Sequence, residues 1–319
     1  METAELLTLS EIKEAGERLS ASGMVVRTPL LKEVQAMFPD VGNLHLYLKL
    51  ENMQTTGSFK IRGVVNQFEK LSATCDLSNK KLLTMSAGNY GKAFAYYLSR
   101  KGLVGKCVMP ITAPDNRVAL IKQTPTSELQ PTVDQLVSQG HHYCHSFDDR
   151  DLMAGHGTCA LEVLEDGVQP DVVVVCCGGG GLVSGIAAGF HLASTKPVRV
   201  YAVEPEGSNT MWESMQAGHA VQKSTVRSVA AGLSPPYAGK LCYAHCKRFV
   251  EEVILVSDQE IIQSMQVLFA RGIKAEPSGC AAMAAILNKR VPDVEGKVVV
   301  VVITGGNVSV EEVYQLLPK

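Results

Sequence analysis

The run Val172-Val-Val-Val-Cys-Cys-Gly-Gly-Gly-Gly-Leu-Val-Ser-Gly185 decides the fold. An unbroken β-branched stretch suits a central parallel strand covered on both faces, and residues 181–193 continue as an apolar helix. Between them stand Gly178, Gly179, Gly180 and Gly181, more glycine than a strand-to-helix turn needs. Consecutive backbone N–H groups at a helix N-terminus form a nest in which roughly half a positive charge gathers, so a phosphate fits there. No Lys-Ser/Thr pair follows, which excludes a Walker A loop, and the dinucleotide spacing is absent.

The same alternation continues outward in both directions. Strands are predicted at 44–50, 81–85, 106–109, 172–176, 198–203, 252–256 and 298–303, and helices at 93–100, 181–193 and 259–271. Strands alternating with amphipathic helices give an α/β fold with parallel sheets. Thr8-x-x-Glu11 and Ser257-x-x-Glu260 read as capping boxes. The stretch 116–146, broken by Pro125 and Pro131, is the least regular, and only a helix around 132–138 is legible in it.

A chain of 319 residues holds two domains or one large α/β unit. Apolar residues at 46% and charged ones at 19% describe an ordinary globular protein. Thirty Lys+Arg against 32 Asp+Glu leave a net charge of −2, which offers no long-range field to nucleic acid or an anionic membrane. A small neutral or zwitterionic ligand suits such a surface better. Nine scattered cysteines read as free thiols, the usage of a reducing cytoplasm. Cys242 and Cys246 flank His245 but lack a second ligand pair, so zinc is not expected. No signal peptide is visible, and the longest apolar run, 298–303, is far below the ~20 residues of a spanning helix.

Three further segments carry chemistry. Thr56-Gly-Ser-Phe-Lys-Ile-Arg-Gly63 sets Lys60 among small and apolar neighbours after a strand, where desolvation lowers an amine's pKa and makes it a nucleophile and base. Ser86-Ala-Gly-Asn-Tyr-Gly91 forms a second nest, suited to a carboxylate, with Asn89 free to bond a ring substituent. Thr304-Gly-Gly-Asn307 ends the most apolar strand, placing a hydroxyl in the crevice where α/β sheets bind ligands. Gly185 and Gly189, one helical turn apart, read as close helix packing.

Together and in this order, these segments resemble the fold-type II pyridoxal 5′-phosphate (PLP) enzymes, specifically the serine/threonine dehydratase and serine racemase group. Arg27-Thr-Pro-Leu, Phe147-Asp-Asp, Gly155-His-Gly-Thr, Val203-Glu-Pro and Glu276-Pro-Ser-Gly extend the resemblance over nearly the whole chain. The resemblance implies a tryptophan synthase β-like fold, with a large α/β domain from residues 1–80 and 149–319 and a smaller α/β domain inserted at 81–148. It implies that Lys60 forms the internal aldimine, Phe59 packs against the ring, and Asn89 bonds its 3-hydroxyl. Gly178, Gly179, Gly180, Gly181 and Leu182 would hold the phosphate, Thr304 would meet the pyridine nitrogen, and Gly232 and Glu276 would complete the cofactor site. Ser86, Ala87, Gly88, Asn89 and Tyr90 would clamp the substrate carboxylate, with Lys60 and Ser86 as the catalytic pair. A homodimer is expected from the same resemblance.

The resemblance implies L-serine/L-threonine ammonia-lyase activity. Racemases of the group resemble Ser-Ser-Gly-Asn at the second nest, and Ala87 replaces the serine that transfers a proton on the opposite face. Racemase activity is therefore the alternative. Glu204 matches one position of the racemases' divalent-cation site, but the other position is Thr210, which argues against a tight metal site. Family members carry about ten more residues between Arg117 and Phe147, including a strand after a helix equivalent to 119–122. A missing or truncated strand there makes an inactive splice form or degenerate homologue that keeps the PLP site a second alternative.

Overall fold

The structure, a computed structural model, describes residues 5–86, 88–110, 122–124 and 128–316. In chain order the elements are α1 (Leu9–Ser22), β1 (Leu30–Leu31), β2 (His45–Leu50), α2 (Lys60–Ser72), β3 (Lys81–Met85), α3 (Asn89–Lys101), β4 (Gly105–Pro110), β5 (Lys122–Thr124), α4 (Leu129–Ser138) and β6 (His141–Tyr143). They continue as α5 (Arg150–Glu165), β7 (Val172–Cys176), α6 (Gly181–Ala193), β8 (Arg199–Pro205), α7 (Thr210–Ala217), α8 (Lys240–Phe249), β9 (Glu252–Val256), α9 (Asp258–Phe269), α10 (Pro277–Leu287), β10 (Val298–Ile303) and α11 (Val310–Leu316).

Two sheets result. The larger has the order β1-β2-β10-β7-β8-β9, parallel except for the short antiparallel edge β1. The smaller runs β5-β4-β3-β6, all parallel. β10 joins β2 to β7, so the last strand of the chain completes the middle of its sheet. Both β7 and β10 are buried along almost their whole length, as their valine runs predict. Both capping boxes form, at Thr8/Glu11 on α1 and Ser257/Glu260 on α9.

Strand β5 corrects one expectation. Lys122 lies in a strand rather than in a helix spanning 119–122, and residues 119–121 are outside the described ones. Its three residues pair with Val108, Met109 and Pro110 of β4, so the smaller sheet keeps its fourth strand in shortened form.

Glycine sets the approach of two central helices. A Cβ on Gly185 of α6 would lie 2.2 Å from the Met153 carbonyl oxygen and 2.9 Å from the Gly157 nitrogen of α5. One on Gly189 would meet the Gly157 oxygen at 2.8 Å, as expected for close packing. α2 is fixed by a buried ionic cluster: Arg62 grips Glu51 through Nε and Nη2, each at 2.8 Å, and Glu162 through Nη1 at 2.6 Å. Lys49 Nζ adds a contact to Glu162 at 2.6 Å, pairing two cations with two carboxylates. Burial opposes ionisation of Glu51, yet the adjacent Arg62 guanidinium holds its carboxyl below the usual range.

The cysteines at 242 and 246 sit on α8 with His245, whose Nε2 accepts the Leu7 N–H at 2.9 Å. Among the described residues no cluster of His, Cys, Asp and Glu is placed to hold a metal ion. No helix among them is long and apolar enough to cross a membrane.

Candidate active site

The site gathers at the carboxyl ends of β2, β10 and β7, with β3 and the segment after β6 facing them. Lys60 opens α2, and the turn before it is tied to the end of β10 by the Phe59 N–H donating to the Thr304 carbonyl at 3.1 Å and by a Ser58–Gly305 bridge. The half-buried Lys60 donates from Nζ to the Ser146 carbonyl at 2.7 Å. That amine lies 5.1 Å from the Phe59 ring centroid and 5.8 Å from that of Tyr90. Burial lowers its pKa from 10.5 to about 8.

The glycine turn follows β7. Gly180 has φ of 101°, a left-handed conformation that glycine adopts without strain. The other glycines are required by close approach. A Cβ on Gly181 would sit 2.5 Å from the Phe147 carbonyl oxygen, and one on Gly179 2.2 Å from the Phe147 ring. A Cβ on Gly178 would press on the Leu233 backbone at 3.1 Å and the Gly232 carbonyl at 3.2 Å, which places Gly232 against the turn. Among the described residues, no acceptor takes the amide hydrogens of Gly178, Gly179 or Gly180. Leu182 is buried beneath them in the first turn of α6.

The second nest is occupied by its own serine. Ser86 Oγ accepts the Gly88 N–H at 3.3 Å and the Gly91 N–H at 3.0 Å, capping the start of α3. Ala87 lies outside the described residues. Tyr90 turns its side chain into the core, its hydroxyl donating to Gln67 Oε1 at 2.5 Å, so only its backbone faces the nest. Asn89 donates from Nδ2 to Glu276 and accepts from Asn307 Nδ2 at 2.7 Å. Glu276 is anchored in turn by its N–H on the Gly305 carbonyl at 2.9 Å. Asn89, Glu276 and Gly305 thus meet, although they come from both ends of the chain.

Thr304 is buried, with Oγ1 3.2 Å from the Cys176 thiol. Glu204 belongs elsewhere: its two oxygens accept the Met211 and Trp212 N–H groups at 2.9 and 2.8 Å, capping α7. Burial pushes its carboxyl up to about 8. Its neighbour Thr210 has a buried hydroxyl with no partner among the described residues.

Sequence reasoning did not find His145, Ser146, Cys176 or Tyr237 as site residues. Ser146 holds Lys60, and His145 Nε2 lies 3.1 Å from the Tyr237 hydroxyl. Their signal was weak, because a three-residue strand precedes the first pair and an irregular Pro-Pro loop precedes Tyr237. Phe147 of the Phe147-Asp-Asp motif presses with its ring and carbonyl on two of the four glycines.

This donor set fits PLP. A desolvated lysine amine would suit an aldehyde, unclaimed amides at a helix N-terminus would suit a dianionic phosphate, and a neutral hydroxyl at the end of β10 would suit a ring nitrogen. The backbone packed against the turn leaves no room for a side chain on Gly181 and little on Gly178, so the turn presents mainly backbone donors.

Comparison with known proteins gives the same reading. The family model described as pyridoxal-phosphate dependent enzyme matches residues 21–305. A catabolic L-threonine dehydratase of Staphylococcus aureus is 34% identical over 98% of this chain and 92% of its own. An L-threonine ammonia-lyase of Thermotoga maritima is 32% identical over 98% of this chain and 79% of its own. The solved structure of maize serine racemase superposes with a TM-score of 0.88 at 28% identity, covering 98% of this chain and 97% of that one.

Proposed function

Because this chain belongs to the pyridoxal-phosphate-dependent enzyme family, with the fold-type II architecture of threonine dehydratases and serine racemases, we propose that it is an L-serine/L-threonine ammonia-lyase. The reaction is α,β-elimination to an α-keto acid and ammonia. The observation that carries this reading is the desolvated Lys60 amine held by the Ser146 carbonyl, one residue before the Phe147 that packs against Gly179 and Gly181.

Bound PLP supplies an electron sink for the charge left at the substrate α-carbon. Gly178, Gly179, Gly180 and Gly181 hold its phosphate through backbone N–H groups, and Leu182 closes the floor. Phe59, Asn89, Gly232, Glu276 and Thr304 surround its ring. Ser86, through its hydroxyl proton, and the amides of Asn89 and Tyr90 orient the substrate carboxylate so that the Cα–H bond faces Lys60, while the Gly88 N–H, expected to join them, stays on Ser86 Oγ. With its pKa near 8, Lys60 is partly neutral at physiological pH and accepts the α-proton. Thr304 would offer the ring nitrogen a neutral hydroxyl rather than a carboxylate's counter-charge, which would temper the electron sink.

Likeness to maize serine racemase makes inversion at Cα the competing outcome. Ala87 offers no transferable proton on the opposite face, which supports elimination. The four-stranded smaller sheet, with β5 paired to β4, supports an active enzyme over a degenerate one. The two sheets support a division into a large unit, 1–80 with 149–319, and a small one, 81–148. The family resemblance is the ground for a homodimer, the relatives' names favour a small hydroxy amino acid as substrate, and nine free thiols support a cytoplasmic site of action.

Keto acid, ammonia and inverted amino acid measured in one reaction test the proposal. Keto acid and ammonia in equal amounts are expected; inverted amino acid without keto acid would sink it. Lys60→Ala is expected to lose both the visible cofactor absorbance and at least about 10³-fold of the turnover.

A further inference from the structure

The segment after β6 brings a histidine and a tyrosine from opposite parts of the chain into one polar pair beside the site. His145 Nδ1 accepts two backbone N–H groups, from Phe147 at 3.2 Å and Asp148 at 2.8 Å. A ring nitrogen accepting two donors carries no proton, so the imidazole proton is on Nε2. Nε2 therefore donates to the Tyr237 oxygen at 3.1 Å, and that contact is the hydroxyl's only hydrogen bond among the described residues. The tyrosine's own proton is left without an acceptor there. Burial lowers the His145 pKa to about 4 and raises that of Tyr237, so both stay neutral and the donor direction holds through the physiological range.

The position of the pair ties it to the reacting region. Ser146, next to His145, holds the Lys60 amine, and the Phe147 ring lies 5.2 Å from the Tyr237 ring and against Gly179. Two residues after Tyr237, the Gly239 N–H donates to the Gly179 carbonyl at 3.1 Å. Tyr237 is half-buried in a wall made of the lysine's acceptor and the glycine turn. The neighbouring Asp148 carboxylate has both oxygens engaged by the N–H groups of Lys240, Leu241 and Cys242.

We propose that Tyr237 is a specificity-determining residue whose free hydroxyl proton donates to the oxygen on the substrate β-carbon, with His145 as the positioning residue that aims it. The ligand class follows: amino acids bearing a β-hydroxyl are favoured over those with hydrogen or halogen there. This rests on the ammonia-lyase reading for its substrate but not for its measurement. No proton leaves Tyr237 in the proposal; it acts as a hydrogen-bond donor.

The test uses the PLP-loaded protein and Tyr237→Phe, which keeps the ring and its packing. For L-serine and L-threonine, KM is expected to rise about tenfold, the order of one lost hydrogen bond to a polar ligand. Elimination from β-chloro-L-alanine is expected to stay within about twofold, because chlorine is a poor acceptor. Equal losses on both substrates, or no loss on either, would overturn the proposal. Titration of the cofactor absorbance with L-serine and with L-alanine provides a readout independent of turnover. Wild type is expected to prefer L-serine and Tyr237→Phe to lose that preference; a preference unchanged by the substitution overturns the inference even if no keto acid is ever formed. Keto-acid failure in wild type with the preference abolished by Tyr237→Phe would instead count against the ammonia-lyase reading alone.

Discussion

Lys60 shows how one side chain's environment sets its chemistry. Only the neutral amine attacks the cofactor aldehyde, and burial brings its pKa from 10.5 to about 8. The rate at which apoprotein takes up PLP is therefore expected to rise through a midpoint near pH 8 and level off above it. Following visible absorbance after mixing gives that profile, and a rate that keeps climbing to about pH 10, as for an ordinary lysine, contradicts it. Lys60, Asn89 and Thr304 were legible in the sequence because each sits in a short run whose backbone shape already implies a ligand. The partners that tune them were not. Ser146 reaches Lys60 across 86 positions, and Tyr237 meets His145 across 92, contacts that only the fold creates. Cys176 looked like one more buried thiol until its contact with Thr304 at 3.2 Å placed it behind the hydroxyl proposed to face the ring nitrogen.

At the level of elements, the decisive contact is the crossing of α5 and α6. α6 begins at Gly181, so whatever sets its distance from α5 also sets the position of the glycine turn proposed to hold the phosphate. Gly185→Ala would drive a methyl group against the Met153 carbonyl and the Gly157 nitrogen, backbone atoms that cannot rotate away. A loss of about 1–3 kcal/mol is expected, together with weaker PLP binding. Thermal melts and apoprotein titration would register both, and an unchanged PLP affinity would show that crossing and cradle are independent. Strands with continuous valine, β7 and β10, and helices with capping boxes, α1 and α9, were readable because local preference and tertiary environment agree in them. β5 and β6, three residues each, were not, since pairing rather than propensity makes them strands. α5 hid its helix behind Gly155 and Gly157, residues chosen for close packing and poor at forming helix.

The whole molecule divides its stability unevenly. The larger sheet belongs to one continuous apolar core that includes β2, β7, β8, β9 and β10. One side of the smaller sheet packs on aromatic residues of α2 and α3, while the other is held by Leu83, Val108 and Val133 with a few half-buried neighbours. Amides of β4 and β6 are accordingly expected to exchange with solvent hydrogen faster than those of β7 and β10, and to slow when substrate analogue binds. Mass-resolved hydrogen exchange would show it; uniform protection of both sheets would not fit this picture.

The position of β10 also bears on how the protein is made. A ribosome delivers β2 and β7 long before β10, yet those two strands neighbour each other only through it. Until Val298–Ile303 emerges, the sheet is two separate halves with open edges, and Lys60 and the glycine turn are related only through α5 and the Ser146–Phe147 segment, without the strand that ties the lysine's turn to the sheet. Cofactor capture is then expected only after β10 has taken its place, and until that step the two open strand edges are the chain's exposure to wrong pairing.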